Sequence, residues 1–448
     1  MVDKLHDGAQ HHGMRRTLTA LVVSLIVFST TAAGWPTDHG DNLRTGHAGT
    51  AATFKALSPA FSRTLDGAVY GSPILAGANV IVATENNTVY ALNPTTGAVA
   101  WSRHLRSPIS DTSVLACRGN ISPTGITGTP AYDSVTGRVF VVTITYDASQ
   151  GGVRHEIWGL AAATGATAMN RRVEVPGTDP KAQQQRSALA VDRGNVYIAF
   201  GGLIGDCGNY KGAVVSLQTD GRLGGIAYVV PTPREGAIWA AGGPLVQPNG
   251  NLLVAVGNGE STTGFDYSDS ITEISPAMKR VDFFAPTSWA NDNANDLDLG
   301  SLTPAYTSIG YILQAGKSGQ GYTVRPGHLG GIGGQVKTGP LCRAFGVSAV
   351  TGSTVYLPCT DGVSRVDLAA DGSFTKKWTA AGIPGSPVAG PGALYALGSG
   401  KLNALNGRTG AVLGSINVGS TTRFATPMLV GNLIYVGTTG GIVATKVG

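Results

Sequence analysis

Oxygen-bearing side chains gather between residues 206 and 298 of this chain. Asp206 lies in a Gly-rich segment, Asn258 in a Gly-Asn-Gly turn, and Asp296 and Asp298 in an Asp-Leu-Asp sequence. Carboxylate and amide oxygens are the ligands that a hard cation such as calcium prefers, and a carboxylate can also accept a proton from a substrate. The same residue types are common in turns, so the competing interpretation is that these residues only form and solvate surface turns.

Other chemically capable residues form no recognisable motif. The histidines are scattered without the spacing of a metal site: His104, His155 and His328. Lys317 lies in a Gly-Lys-Ser-Gly sequence that resembles a phosphate-binding loop only superficially, because it does not fall between a strand and a helix. The Gly-x-Ser-x-Gly turn of a serine nucleophile is absent. Glu235 and Glu260 are isolated in sequence, but folding can juxtapose distant acids, so a paired-carboxylate glycosidase stays open.

The elements that must position these residues are short strands in a repeating pattern. Residues 89–101 are typical of a strand, a tight turn containing Gly97 and the start of the next strand, and degraded copies recur through the chain. The 448 residues include 65 Gly and 23 Pro, only 13% are charged, and helical periodicity is absent, all of which favours an all-β protein. A strand–turn–strand unit repeated at such intervals predicts a β-propeller.

The copies predict eight blades of four antiparallel strands. Seven blades are the alternative, because the Gly-rich copy at 301–340 is poor. The last copy ends at Gly448 without an outermost strand, while a spare strand at 61–65 precedes the first copy. We therefore expect the N-terminal strand to complete the eighth blade, which leaves no open edges where the ring closes.

The N-terminus is typical of an exported protein. Arg15 and Arg16 precede an apolar run at 18–28, and small residues up to Ala33 supply a cleavage site. Residues 1–33 are therefore interpreted as a signal peptide, of which 1–13 could be a mis-called start. We expect a lead-in segment at 34–60 and a single propeller domain at 61–448. No later apolar run predicts a membrane span, so the expected location is secreted or extracellular, including attachment to the cell wall.

Net charge and cysteine content bear on two further questions, nucleic-acid binding and disulfide formation. The formal net charge is +5, and no basic run is interleaved with aromatic residues, so the sequence does not predict nucleic-acid binding. Four cysteines in an exported chain favour disulfides over a metal site. Three pairings exist in principle. The separation of 17 residues favours Cys342–Cys359, which leaves Cys117 to pair with Cys207.

The copies resemble the tryptophan-docking repeats of the pyrroloquinoline quinone (PQQ) dehydrogenases and of related non-enzymatic propellers, over residues 35–448. This is the PQQ-binding-like, quinoprotein alcohol dehydrogenase-like β-propeller family, here as a secreted member. The family docks each blade on the next with a Trp at the end of the turn. The resemblance gives that place to Trp101 and Trp378, and to Met169, Leu223 and Leu413 in other blades.

The resemblance also implies a quinone site. The Gly-Asn-Gly turn is similar to the one whose Asn ligates calcium, and the Asp-Leu-Asp sequence to the segment whose first Asp is the base. The implied roles are catalytic base for Asp296, calcium ligand for Asp206, Asn258 and Asp298, and cofactor contact for Lys317 and Trp289. Calcium would polarise the quinone carbonyl. The chain departs from the pattern, since Asn295 replaces a Trp, and an adjacent Cys pair, a haem motif and the ring-covering Trp are not identified.

These departures favour an exported, non-catalytic binding or scaffold module, which presents its rim to a protein or cell-envelope ligand and needs no cofactor. The alternative is a PQQ- and calcium-dependent oxidoreductase acting on alcohols or sugars, and a glycan-processing enzyme is a third hypothesis. The first five copies are longer than the last three, and insertions usually collect on the functional face. We therefore expect the rim of blades one to five to be the working surface of a monomer.

Overall fold

The protein is built almost entirely from antiparallel strands, as seen in a computed structural model that describes residues 34–119, 121–222 and 225–448. The predicted signal peptide and Leu223 lie outside the described residues. Eight sheets form in the described residues: six contain four strands and two contain five, and in all but one the antiparallel strands follow one another in the order of the chain. The prediction of an eight-bladed propeller is confirmed, and the seven-bladed alternative is wrong.

The first four blades follow one another along the chain. Blade 1 contains β2 (Ile74–Ala76), β3 (Asn79–Ala83), β4 (Thr88–Leu92) and β5 (Val99–His104). Blade 2 contains β6 (Ala131–Asp133), β7 (Arg138–Asp147), β8 (Gly152–Ala161) and β9 (Thr167–Val173). Blade 3 contains β10 (Gln183–Gln184), β11 (Ala190–Asp192), β12 (Asn195–Gly202), β13 (Ala213–Gln218) and β14 (Ile226–Val229). Blade 4 contains β15 (Leu245–Val246), β16 (Leu252–Val256), β17 (Ser270–Ile274) and β18 (Arg280–Ala285).

The remaining four blades complete the ring. Blade 5 contains β19 (Ala305–Tyr306), β20 (Ile312–Ala315), β21 (Gln320–Val324) and β23 (Lys337–Pro340), while the intervening β22 (Gly331–Ile332) adds in parallel to β18. Blade 6 contains β24 (Ala349–Thr351), β25 (Thr354–Pro358), β26 (Gly362–Leu368) and β27 (Phe374–Ala381). Blade 7 contains β28 (Val388–Gly390), β29 (Ala393–Gly398), β30 (Lys401–Leu405) and β31 (Val412–Asn417). Blade 8 contains β32 (Met428–Val430), β33 (Leu433–Thr438), β34 (Gly441–Val447) and β1 (Leu57–Thr64).

Helical structure is confined to short pieces of the loops. The α-helix α1 spans Trp289–Ala294, and single 3₁₀ turns span Asp38–Gly40, Thr112–Val114, Ala148–Gln150 and Leu299–Ser301. In the part of the chain that the structure describes, none of these helices has the length and hydropathy needed to cross a bilayer.

The hydrophobic core lies between neighbouring blades. Strand β12 illustrates why, because its side chains alternate between the two faces of the sheet. Val196 and Phe200 pack against blade 2, whereas Tyr197 and Ala199 pack against blade 4. Both faces are buried, so the strand reads as a nearly continuous apolar run. Similar clusters join each blade to the next around the ring.

The ring closes as the sequence predicts, with the N-terminal strand as the outermost strand of blade 8. Strand β1 pairs antiparallel with β34, from Leu57 opposite Val447 to Thr64 opposite Gly441. The observed strand is longer than the predicted 61–65. It also docks on blade 1, because the Phe61 ring lies where a Cβ on Gly97 would be.

The docking residues of the other blades are confirmed in part. The indole nitrogens of Trp101 and Trp378 donate to carbonyls of the next blade, to Ala162 at 3.0 Å and to Arg408 at 2.9 Å. Met169 is buried against Gly221 of blade 3. Leu413 was expected to fill the same kind of gap, but its side chain is exposed. Gly414, rather than Leu413, takes the register position of Trp101 and Met169, because it lies opposite Ala404 as Trp101 lies opposite Ala91.

The lead-in segment ends at residue 56 rather than at the expected 60, because β1 begins at Leu57, and it crosses one end of the central channel. Its backbone carbonyls accept hydrogen bonds from the innermost strands of several blades, for example Trp35 from Leu75 at 2.8 Å and Asn42 from Val246 at 2.9 Å. The Arg44 side chain is buried and donates to the carbonyls of Leu189 and Gly242, among others. This network closes the channel at the end opposite to the loops described next.

Both expected disulfides are present. Cys342 pairs with Cys359, and Cys117 pairs with Cys207. The second bridge ties the long loop between blades 1 and 2 to the loop between β12 and β13 of blade 3. Two disulfides are compatible with an extracellular location.

Candidate functional site at the channel mouth

One face of the ring carries all the longest loops. In a four-stranded antiparallel blade, the loop between the second and third strands lies on the same face as the loop that leads into the next blade. Asn258 follows β16, Asp296 and Asp298 lie between β18 and β19, and Lys317 follows β20. The fold therefore brings residues from the loops of blades 4 and 5 together at the mouth of the channel.

A lysine bridges the two aspartates of the Asp-Leu-Asp sequence. The Lys317 Nζ lies 2.5 Å from Oδ1 of Asp296 and 2.5 Å from Oδ2 of Asp298. The other oxygen of Asp298, Oδ1, accepts from the backbone N–H of Asn258 at 2.8 Å and lies 3.4 Å from the Trp239 indole nitrogen. Both oxygens of Asp298 are thus engaged, while the Asp296 side chain is 64% exposed.

Aromatic rings and cations surround this group. The Trp239 ring lies 6.2 Å from Phe345 and 6.1 Å from Phe424, measured between centroids. Lys317 Nζ lies 5.9 Å from the Trp239 ring, and the Arg186 guanidinium lies 5.8 Å from it. We call the five residues Trp239, Asp298, Lys317, Phe345 and Phe424 the mouth site.

Sequence reasoning missed the aromatic part of the mouth site. Trp239, Phe345 and Phe424 come from three loops that precede the innermost strands of blades 4, 6 and 8. These loops carry no repeat signature. The available signal was position: all three aromatic residues lie a few residues before an innermost strand, where a side chain can reach the channel axis.

Burial dominates the electrostatics of the mouth site. Desolvation raises the pKa of Asp298, and the positive charge of Lys317 opposes that shift. Burial likewise raises the pKa of Asp269 well above its ordinary value, with the Asp298 charge acting in the same direction. Asp269 accepts from the Leu299 backbone N–H at 2.8 Å, which fixes the turn that carries Asp298. The mouth therefore holds two buried carboxyl groups and one ammonium.

Asp206 belongs to a neighbouring acidic group rather than to the lysine bridge. Its carboxylate accepts from the Tyr210 hydroxyl at 2.5 Å. Arg234 pairs with Glu235 at 2.6 Å and reaches Glu260 at 3.6 Å. Burial raises the pKa of Glu235 to about 7, with Arg234 opposing and Asp206 adding to the shift. The two glutamates that are isolated in sequence are therefore joined through one arginine.

Trp289, expected to contact a cofactor, lies in a different cluster. Its ring packs on Phe265 at 5.3 Å, and Phe265 in turn stacks on Phe283 at 5.3 Å. The Arg280 guanidinium lies 3.4 Å from the ring of Tyr267, a fourth aromatic residue of this cluster. These half-buried rings form the outer rim of blade 4, and no contact between Trp289 and the mouth site is found in the described residues.

The residues of the mouth do not fit a calcium ion. A calcium site needs several free oxygen ligands, yet the Lys317 ammonium occupies the place between Asp296 and Asp298. Asp206 is engaged by Tyr210. Among residues 34–119, 121–222 and 225–448, no three His, Cys, Asp or Glu side chains are arranged to hold a metal ion. A planar anionic molecule such as PQQ fits better, because an aromatic face and cations lie side by side.

The family model described as outer membrane protein assembly factor BamB, a PQQ-like repeat model, matches residues 31–125. None of the curated proteins matches the sequence. Among solved structures, quinohemoprotein alcohol dehydrogenase from Comamonas testosteroni is 16% identical, with a TM-score of 0.69 over 92% of this chain and 80% of the other.

Two further structures share the fold. The europium-containing methanol dehydrogenase is 14% identical, with a TM-score of 0.70 over 92% of this chain and 98% of the other. BamB from Moraxella catarrhalis is 14% identical, with a TM-score of 0.59 over 87% of this chain and 99% of the other. Two dehydrogenases and BamB thus share the fold of this chain. The resemblance that the repeats carry, to the PQQ-like β-propeller repeat family, is confirmed by the family model and by the fold.

Proposed function

We propose that this protein is an exported, non-catalytic binding module, which takes a ring-bearing carboxylate ligand of the cell envelope at the mouth of its channel. The observation that carries the proposal is the position of the Lys317 ammonium, 2.5 Å from both Asp296 and Asp298. A carboxylate that accepts a substrate proton needs a free oxygen toward the substrate. Both oxygens of Asp298 are already engaged, one by the Lys317 ammonium and the other by the Asn258 backbone N–H.

The chemistry of the ligand follows from what surrounds the mouth. The rings of Trp239, Phe345 and Phe424 offer apolar faces for a flat or cyclic group. The Arg423 guanidinium lies 4.3 Å from the Phe345 ring, and Arg186 lies 5.1 Å from Phe424. Neither arginine forms an ion pair within the described ranges, so both charges are available to a carboxylate. The concave mouth therefore suits a ligand with both features.

Calorimetric titration tests this proposal, with PQQ as a probe because it is a planar tricarboxylate. We expect binding that does not require calcium and that weakens at least about tenfold in Trp239→Ala. Trp289→Ala, in the separate aromatic cluster, is the matched control and should bind as the wild type does. Absence of binding in the wild type, or equal losses in both variants, would overturn the proposed site.

A PQQ-dependent oxidoreductase is the second candidate, favoured by the burial of Asp298 beside Trp239 and Lys317. Desolvation raises the pKa of Asp298, which is the direction needed for a group that takes up a proton near neutral pH. In this reading Trp239 and Lys317 would hold PQQ, which supplies the two-electron oxidation of an alcohol when bound. Asp298, rather than the exposed Asp296, would hold the proton. Calcium-dependent binding of PQQ in the titration would favour this candidate.

A further inference from the structure

The outer rim of blade 4 carries an aromatic cluster that the mouth site does not use. The rings of Phe265, Tyr267, Phe283 and Trp289 pack on one another with neighbouring centroids 4.9–5.3 Å apart, and each ring is only half-buried. On the same strand as Phe283, the Val281 side chain is 56% exposed. Apolar surface that is bordered by polar groups in this way marks interaction sites on folded proteins.

Two cations beside the cluster lack a carboxylate partner. The exposed Arg280 side chain places its guanidinium 3.4 Å from the centroid of the Tyr267 ring, and the exposed Lys279 precedes it. Neither cation forms an ion pair within the part of the chain that the structure describes. The neighbouring Asp282 is committed elsewhere, because both of its oxygens accept from backbone N–H groups, at 2.8 and 2.6 Å. Both positive charges are therefore available to a negatively charged partner.

Hydrogen bonds hold the parts of the cluster together. Trp289 belongs to α1, and Phe265 belongs to the loop between β16 and β17. Asn293 of α1 joins the two, because its side chain donates to the Ser261 carbonyl at 2.6 Å and accepts from the Gly259 backbone N–H at 2.7 Å. A surface that is fixed before binding loses little conformational entropy when a partner binds. The cluster is therefore preorganised.

The geometry of the rings favours a polypeptide partner over a sugar. A sugar ring packs its C–H groups against an open, flat aromatic face. Here Phe265 stacks on Phe283 at an interplanar angle of 26°, and Arg280 covers one face of Tyr267. The Trp289 ring meets Phe265 at 70°. Few ring faces stay open, whereas the combination of Trp, Tyr, Phe and Arg is the one that protein interfaces concentrate at their centres.

We propose that Phe265, Tyr267, Arg280, Phe283 and Trp289, which we call the rim patch, form a docking surface for an acidic segment of a partner protein. The Arg280 guanidinium pairs with a carboxylate of that segment, and the half-buried rings cover an apolar side chain next to it. The rim patch shares no residue with the mouth site. The proposal is therefore independent of what the mouth binds.

Selection from a phage-displayed library of short random peptides tests the rim patch, with the complete protein as bait. We expect the enriched peptides to combine Asp or Glu with Leu, Phe or Trp. A synthetic copy of an enriched peptide is then titrated by calorimetry, and its binding should weaken at least about tenfold in Arg280→Gln. Arg193→Gln, another exposed arginine, and Trp239→Ala, in the mouth site, are the matched controls and should bind the peptide as the wild type does.

Trp289→Ala should weaken binding of the same peptide to a similar extent. If that variant does not fold, Arg280→Gln keeps the proposal falsifiable, because the Arg280 side chain is exposed. Absence of enriched acidic peptides would overturn the proposal, as would equal binding by the wild type and Arg280→Gln. Polygalacturonate that binds the wild type but not Arg280→Gln, in place of any peptide, would overturn it by assigning the rim patch to an acidic polysaccharide. A wild-type dimer that Arg280→Gln converts to a monomer would overturn it by assigning the patch to a second copy of this chain.

Discussion

Lys317 and Asp298 form a buried ion pair at the channel mouth, with 2.5 Å between Nζ and Oδ2. The Asp298 side chain is 4% exposed and that of Lys317 is 16% exposed, so both charges are largely removed from water. The same lysine also reaches Asp296 on the surface. One ammonium therefore pairs with both carboxylates, and its removal should affect both stability and binding.

Replacing Lys317 with Met should destabilise the protein strongly. The substitution leaves the buried Asp298 carboxylate without its cation, and breaking a buried pair in this way typically costs about 3 kcal/mol. Urea unfolding measures the change. Lys337→Met, which removes an exposed pair with Asp371, is the control and should leave stability nearly unchanged. The double variant Lys317→Met with Asp298→Asn should recover much of the loss; a double variant no more stable than Lys317→Met would contradict the pairing.

Arg44 should be needed to keep the lead-in segment bound to the propeller. Its substitution by Met leaves buried carbonyls of blades 3 and 4 without donors, and each such group costs about 1–3 kcal/mol. We expect the variant to expose residues 34–56 to protease before the propeller unfolds, as followed by limited proteolysis and mass spectrometry. Arg193→Met is the control and should behave as the wild type does. Protection of that segment in Arg44→Met would show that the network is dispensable.

Phe61 should stabilise the closure of the ring. Phe61→Ala removes the ring that covers Gly97 and contacts Tyr435, whose centroid lies 6.2 Å away. We expect a loss of about 2 kcal/mol, less than for a fully buried Phe because the side chain is half exposed. Leu413→Ala, at the exposed position on blade 7, should cost less than about 0.5 kcal/mol. Equal losses in urea unfolding would contradict the assignment of the two positions.

His155 should make the protein less stable in mild acid. Burial lowers the pKa of His155 from 6.5 to about 4, and its ring packs edge-on against Phe200. Because the unfolded chain binds the proton more readily than the folded one, the stabilisation is full above pH 6.5 and is lost as the pH falls toward 4. The loss amounts to about 3 kcal/mol.

The comparison of His155→Gln with the wild type isolates that effect. Urea unfolding between pH 7 and pH 4 should show a shallower loss of stability in the variant. His104→Gln, at an exposed position, should retain the wild-type slope. A variant with the same slope as the wild type would assign the acid sensitivity to other groups.

The fold was predictable because every blade repeats the same local signals. Alternation in β12, the turn at Gly97 and the missing outermost strand of the last copy each specify one feature of the ring. Of the mouth site, only Asp298 and Lys317 were predictable, because each lies in a recognisable motif, as does the neighbouring Asn258. Trp239 comes from a loop without periodicity, and its proximity to Asp298 depends on how separate blades pack around the channel. That information is not local in the sequence.

The acidic group around Arg234 also depends on contacts that are not local in the sequence. Glu235 and Glu260 are 25 positions apart, and only the fold brings both to Arg234. Trp289 shows that closeness in sequence is not enough. It lies a few residues before Asp296 and Asp298, yet its ring packs on Phe265 in a separate cluster. Residue type and spacing predicted the face of the ring that carries these groups, whereas the partners of each side chain required the structure.

A turnover assay tests the central claim, that the mouth binds without catalysing. The protein is incubated with PQQ and calcium, and reduction of an electron-accepting dye is followed with ethanol or glucose as the substrate. We expect no dye reduction above the rate of PQQ and calcium alone, and the same result for Asp298→Asn. Substrate-dependent reduction in the wild type that Asp298→Asn abolishes would contradict the binding-module account and establish an oxidoreductase.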